Sequence, residues 1–200
     1  MNISIFGLGY VGCVGMGCLS SQGHKIIGVD VSDKKVELIN QGVPTIVEKD
    51  IDKLIMDGHK KGMVSATKDF VKAVHSSDIS FICVGTPSSD NGHLDLTYIM
   101  KTAEQIGEAL KEKTGFHVVV IRSTVFPGTN EKVGQLIADI SGKEIDKDYA
   151  IVSNPEFLRE GTAVNDYLNP PLTVIGSSSE KAVDIMKQVY EWSSAPVEIV

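Results

Sequence analysis

Short apolar runs recur along this chain, and most are followed by a stretch whose apolar positions return every three or four residues. The first pattern reads as strand and the second as amphipathic helix. Strands are expected at Asn2–Phe6, Lys25–Asp30, Ile79–Val84, His117–Ile121, Ala150–Val152, Leu172–Ile175 and Val197–Val200. Val118-Val119-Val120-Ile121 and its like are near-continuous branched runs, as in parallel strands covered on both faces. Helices are expected at Tyr10–Ser21, Asp33–Asn40, Asp50–His59, Asp69–Val74, Leu96–Lys113, Thr129–Ile140 and Glu180–Trp192. Ile99, Ala103, Ile106 and Leu110 form a single stripe on the fifth. Ser32 suits an N-cap, and Gly42 a stop, for the second. Strands alternating with helices predict an α/β domain over residues 1–200, a doubly wound parallel sheet.

The first strand runs straight into Gly7-Leu8-Gly9-Tyr10-Val11-Gly12, a G-x-G-x-x-G turn opening a helix. Gly7 permits the tight turn, Gly9 lets a pyrophosphate approach the backbone, and Gly12 lets helix and strand pack closely. The second strand ends in Asp30, 18 residues past Gly12, close to the spacing of about 20 expected of a ribose-binding acid. A carboxylate there accepts from the ribose hydroxyls and repels a 2′-phosphate. Together these features predict a Rossmann-type domain that takes NAD rather than NADP. Lys35 lies over the adenine side of such a site or is a solvated helix lysine.

Composition changes this picture little. The net charge of −7 argues against a nucleic-acid binder that works by neutralising phosphates. Cys13, Cys18 and Cys83 have no metal-ligand spacing and fall in apolar elements, so they read as buried thiols in a reducing compartment. The N-terminus lacks a basic segment before its apolar run and is broken by glycines, unlike a signal peptide. No uninterrupted apolar run reaches membrane-spanning length, about 18 residues. The cytoplasm, no metal and no membrane partner are the expectations.

Ligands of open α/β sheets sit beyond the carboxyl ends of the strands, and three loops there are unusual. Gly85-Thr86-Pro87-Ser88 offers a small backbone and a hydroxyl. In Arg122-Ser123-Thr124-Val125-Phe126-Pro127-Gly128-Thr129, Thr124 either bonds substrate, water or nicotinamide ribose, or belongs to an ordinary turn with Thr129 capping the next helix. In Ser153-Asn154-Pro155-Glu156-Phe157-Leu158-Arg159-Glu160-Gly161, Glu156 and Glu160 would share one side of a helical turn. They form either an acid–base pair or a surface charge cluster with Arg159.

Four segments, I-F-G-L-G-Y-V-G at 5–12, V-G-T-P-S at 84–88, R-S-T-V-F-P-G-T at 122–129 and N-P-E-F-L-R-E-G at 154–161, carry a family resemblance. In that order the chain resembles the N-terminal domain of the nucleotide-sugar 6-dehydrogenases, which include UDP-glucose and GDP-mannose 6-dehydrogenases. Segments 17–32, 80–88 and N-G-H-L-D-L at 91–96 lean towards the GDP-mannose branch. UDP-glucose or UDP-N-acetylhexosamine is the alternative substrate, and a stand-alone, non-catalytic NAD-binding module the alternative class. A 3-hydroxyacyl or 6-phosphogluconate type dehydrogenase would share the glycine turn but not N-P-E-F-L-R-E.

The resemblance implies oxidation of the sugar C6 alcohol to a carboxylate, using two NAD in turn. It implies NAD contacts for Gly7, Gly9, Tyr10, Val11, Gly12, Asp30, Lys35, Thr86 and Thr124. It further implies a water-handling role for Thr124, Glu156 and Glu160, and sugar-nucleotide contacts for Phe157, Leu158, Arg159 and Glu160. The family's nucleophilic cysteine sits in a G-G-S-C-like loop that has no match here, and none of the three cysteines takes its place. The expectation is therefore a cofactor domain without the helical, dimer-forming and C-terminal sugar-nucleotide regions, one that binds NAD and does not turn over alone. For the full-length enzyme a homodimer in acidic polysaccharide synthesis is expected.

Overall fold

A computed structural model describes residues 1–88, 92 and 94–200, so Asn91 and His93 of the 91–96 segment lie outside the described residues. Strands β1 (Asn2–Phe6), β2 (Lys25–Val29), β3 (Val64–Thr67), β4 (Ile79–Ile82), β5 (His117–Ile121) and β6 (Tyr149–Ser153) form one sheet in the order β3-β2-β1-β4-β5-β6. Every pairing in it is parallel. Helices α1 (Tyr10–Ser21), α2 (Asp33–Asn40), α3 (Ile51–Lys60), α4 (Phe70–His75), α5 (Thr97–Leu110), α6 (Thr129–Ser141), α7 (Ala163–Leu168) and α8 (Glu180–Val189) complete the chain with β7 (Thr173–Ile175) and β8 (Val197–Ile199). This is the doubly wound order in which β1 and β4 flank the switch point.

Two apolar cores sandwich the sheet. Ile3 and Ile5 of β1 face α1, α3, α7 and α8 in one. Phe6, Val119 and Ile121 face α4, α5 and α6 in the other. All five residues of β5 are buried, which explains its unbroken apolar run. Ser32 does cap α2, its hydroxyl accepting from the Lys35 N–H.

Three expectations change. The strand β3 and helix α7 have no counterpart among the elements read from the sequence. The last two strands, β7 and β8, do not extend the main sheet but pair with each other in a second, two-stranded one. Thr129 does not cap α6: Gly128, at φ 86°, holds the cap position, and Thr129 is the first helical residue. Among the described residues no helix is long and apolar enough to cross a membrane.

Candidate functional site

Because the six strands share one direction, Gly7, Asp30, Cys83, Arg122 and Asn154 line up along one edge of the sheet. A groove of about 480 Å³, open to solvent, runs along it. Gly7, Gly9, Asp30, Lys35, Cys83 and Gly85 line one side, and Tyr98, Lys101, Thr102 and Gln105 of α5 the other.

The turn between β1 and α1 is fixed by sterics. A side chain on Gly12 would put its Cβ 1.9 Å from the Gly7 carbonyl oxygen. Gly7 itself has φ 93°, and a Cβ there would lie 2.9 Å from the Cys83 oxygen. Gly9 and Gly85 differ: a Cβ on either would meet nothing within 4 Å. The space before the turn is thus an open cradle, and no side chain caps α1 or places an acid in its first turn. Backbone N–H groups and the positive end of the helix dipole are left for an anion, so a dinucleotide pyrophosphate fits.

Asp30, just past the end of β2, borders the groove. Its Oδ2 accepts from the Leu8 N–H at 2.8 Å and the Lys35 ammonium at 3.1 Å. Its Oδ1 accepts from the Ser32 N–H at 2.9 Å. Burial pushes this carboxyl up, but the Ser32 and Leu8 N–H groups and the Lys35 charge outweigh it, and the net shift is downward. Lys35 is therefore anchored to Asp30 and is not a free helix lysine.

Tyr10 and Val11 begin α1, half-buried. The Tyr10 hydroxyl donates to Glu48, a residue that sequence reasoning passed over. Burial and the Glu48 bond raise the Tyr10 pKa to about 12. Beyond β4 and β5 the loops are tied together: the Thr86 hydroxyl donates to the Thr124 carbonyl at 3.2 Å, and the Ser123 hydroxyl to the Val84 carbonyl at 2.6 Å. Thr124 itself is exposed.

The loop after β6 departs from the expected helical turn. Residues 154–159 are irregular, and Glu156 bonds the N–H of Leu158 two residues on, a local bond that competes with helix. The cluster of Arg159 with two glutamates does not form either. Arg159 instead grips Asp166 of α7, Nη2 at 2.7 Å and Nε at 3.1 Å. With Arg159 first among its causes, the Asp166 pKa falls to about 2. Asp166 was not legible because α7 was not.

Glu156, Phe157 and Leu158 line a separate small cavity of about 20 Å³ beside Arg122. Arg122 is buried, its Nη1 donating to Asn154 Oδ1 at 2.6 Å. Among the described residues, the lining of the larger groove includes none of Thr124, Glu156 and Glu160. The glycine turn, Asp30 and Lys35 converge on one groove, and the catalytic candidates gather in loops beside it. Phe157, Arg159 and Glu160 are exposed there.

Cys13 and Cys18 are buried in α1, whereas Cys83 is only half-buried and reaches the groove wall. Burial raises the pKa of all three thiols, of Cys18 and Cys83 to about 12. A low-pKa nucleophile needs the opposite environment.

Comparison with known proteins places these features in a family. Residues 1–193 match the model of the "UDP-glucose/GDP-mannose dehydrogenase family, NAD binding domain". The chain is 54% identical to GDP-mannose 6-dehydrogenase of Pseudomonas aeruginosa over 198 residues, which are 98% of this chain and 45% of that protein. It is 38% identical to a UDP-glucose 6-dehydrogenase of Bacillus subtilis, over 98% of this chain and 41% of that one. A crystal structure of a ternary complex of the Pseudomonas aeruginosa enzyme superposes with TM-score 0.98 at 52% identity, covering 100% of this chain and 46% of the other. The UDP-glucose dehydrogenase of Pyrobaculum islandicum gives 0.95 at 36%, over 100% and 46%. The chain spans less than half the length of these relatives.

Proposed function

The chain belongs to the UDP-glucose/GDP-mannose dehydrogenase family, as its NAD-binding domain, and from there we propose that it is the cofactor half of a nucleotide-sugar 6-dehydrogenase acting on GDP-mannose. The observation that carries the reading is the shared sheet edge, which puts a dinucleotide cradle beside the Thr124 and Glu156–Glu160 loops. GDP-mannose is favoured over a UDP-sugar by 54% identity against 38%.

In this reading the N–H groups at the start of α1, with Gly7, Gly9, Tyr10, Val11 and Gly12, hold the pyrophosphate, and Asp30 with Lys35 holds the adenosine ribose. Thr86 and Thr124 hold the nicotinamide half. NAD held there would supply the hydride acceptor for the sugar C6, once at each of the two oxidation stages. Balance requires one alcohol, one water and two NAD⁺ to give one carboxylate, two NADH and three protons. Thr124, Glu156 and Glu160 orient that water and take up protons, and Phe157, Leu158, Arg159 and Glu160 lie along the substrate. Arg159 is presented by its pairing with Asp166.

The raised thiol pKa values of Cys13, Cys18 and Cys83 support the further reading that none of them is the nucleophile. The 200-residue chain then holds the oxidant without completing the reaction. The activity is tested by offering the full-length protein GDP-mannose, UDP-glucose and a UDP-N-acetylhexosamine and following NADH. Preference for a UDP-sugar would refute the substrate, and no NADH with any of them the dehydrogenase itself. The 200-residue chain should release no NADH in the same assay, and turnover by it would refute the missing nucleophile. A protein complete at 200 residues that binds NAD and oxidises nothing would be a cofactor-binding module.

A further inference from the structure

We propose that Glu48 is a positioning residue of the reaction centre, clamping the loop that carries Glu160 onto the start of the helix that receives the cofactor. The inference rests on the reading of Glu160 and the α1 turn given above.

Glu48 lies between α2 and α3, far in sequence from one of the segments it joins. Its Oε2 accepts from the Tyr10 hydroxyl and from the Gly161 N–H at 2.8 Å, across 113 residues of chain. Its Oε1 accepts from the Lys49 N–H at 2.9 Å. The side chain is buried at 6% exposure, and none of the ion pairs among the described residues includes it.

A buried carboxylate without a cation is tolerated only where hydrogen bonds replace its water. Both long-range bonds of Glu48 end on segments assigned to function. Tyr10 is the first residue of α1, and Gly161 adjoins Glu160. Gly161 also has φ 86° within the turn at 160–162, so Glu48 holds the chain where it turns beside Glu160. The two partners are in matching protonation states. The Tyr10 bond, opposed by burial and aided by the Gly161 N–H, draws the Glu48 carboxyl below the usual range, while Tyr10 keeps its proton until about pH 12. Fastening two loops needs no charge; an ionised acceptor bonded to a phenol and an amide gives a shorter, more directional hold.

The test combines steady-state kinetics and amide hydrogen exchange on the full-length protein. Glu48→Ala should lower kcat about 10- to 100-fold, the scale of a catalytic group displaced by about an ångström. The KM for NAD should stay within about threefold, and exchange of the Gly161 amide should speed up at least about tenfold. Amides of β1, β4 and β5 should keep their protection. Glu48→Gln retains an oxygen for the Gly161 N–H and should restore most of the activity and protection. If Glu48→Ala does not fold, Glu48→Asp, one methylene short of Gly161, should show the same split in milder form. Activity within about twofold of the parent, with Gly161 still protected, overturns the proposal. So does faster exchange across the whole sheet, which would mark Glu48 as a general stabiliser. A Glu160→Gln control that keeps full activity overturns the reading of Glu160 instead, and the Gly161 exchange still decides whether Glu48 holds the loop.

Discussion

The two ends of the parallel sheet carry polar side chains of similar kinds and use them oppositely. At the amino end, Ser77 bonds Ser4 at 3.1 Å, Ser4 bonds Ser80 at 2.7 Å, and Ser80 bonds His117 Nε2 at 2.8 Å. All four residues are buried. Lys113 closes that end by donating to the carbonyls of Val74 and Ser77 at 3.0 and 2.9 Å. Burial first, then the Lys113 charge, lowers the His117 pKa to about 3. At the carboxyl end, Asp30 and Lys35 border an open groove, Thr124 and Glu160 are exposed, and the helix start is uncapped. Polar residues at strand ends therefore do not mark a site by themselves. A gap in the packing does, and here the gap is made by glycines.

The largest expected effect strikes the open end. Gly12→Ala forces a Cβ to within 1.9 Å of the Gly7 oxygen, and backbone must move. We expect a loss of about 3 kcal/mol in urea unfolding and NAD binding too weak for calorimetry. An unchanged Kd would mean that the cradle tolerates a shifted helix. Next, Asp30→Ala should weaken NAD about 10- to 100-fold by calorimetry, as for hydrogen bonds to a charged group. Equal affinity would remove Asp30 from the ribose.

At the sealed end the effect is one of pH. His117 titrates near 3 when folded, against 6.5 ordinarily. Its contribution to stability is complete above pH 6.5 and is lost as pH falls towards 3, because the unfolded chain takes the proton first. The slope approaches about 1.4 kcal/mol per pH unit below 6.5. His24 is also shifted down and adds the same sign, so the difference between parent and His117→Gln isolates His117. Unfolding measured from pH 6.5 to 4.5 should show a flatter decline in the variant, without change in NAD affinity at neutral pH. Parallel declines would show that the end is not sealed. The smallest effect should come from Lys35→Ala. Its side chain is 38% exposed, so the ion pair is screened and NAD should weaken only about two- to threefold.

Much of the fold could be read from the pattern because the core strands are long apolar runs and the helices carry caps or stripes. The misses have local causes. The strand β3 is Val-Ser-Ala-Thr, four residues with a single strongly apolar member, and it forms because β2 offers it an edge. Helix α7 has six residues, as α4 does, but no side-chain cap to announce it, whereas Asp69 caps α4. The Glu156–Glu160 turn misled because i, i+4 spacing says nothing about the local bond to Leu158. Glycine turn and Asp30 were legible because both are sequence-local. Glu48 and Asp166 were not, since they act through contacts that only folding creates.

Asp30 has one further consequence, a matter of timing. Its oxygens already hold three donors before any ribose arrives. The acid is thus pre-set, and on the proposed reading ribose hydroxyls add to or replace bonds that exist instead of creating the first ones. A carboxylate held in place beforehand costs nothing to order when the ribose docks, so its bonds count in full. On the proposed reading the oxidation draws on two cofactor molecules in succession, and the second docks against the same acid as the first. An acid that needs no rearrangement between the two is ready for the second as soon as the first has left.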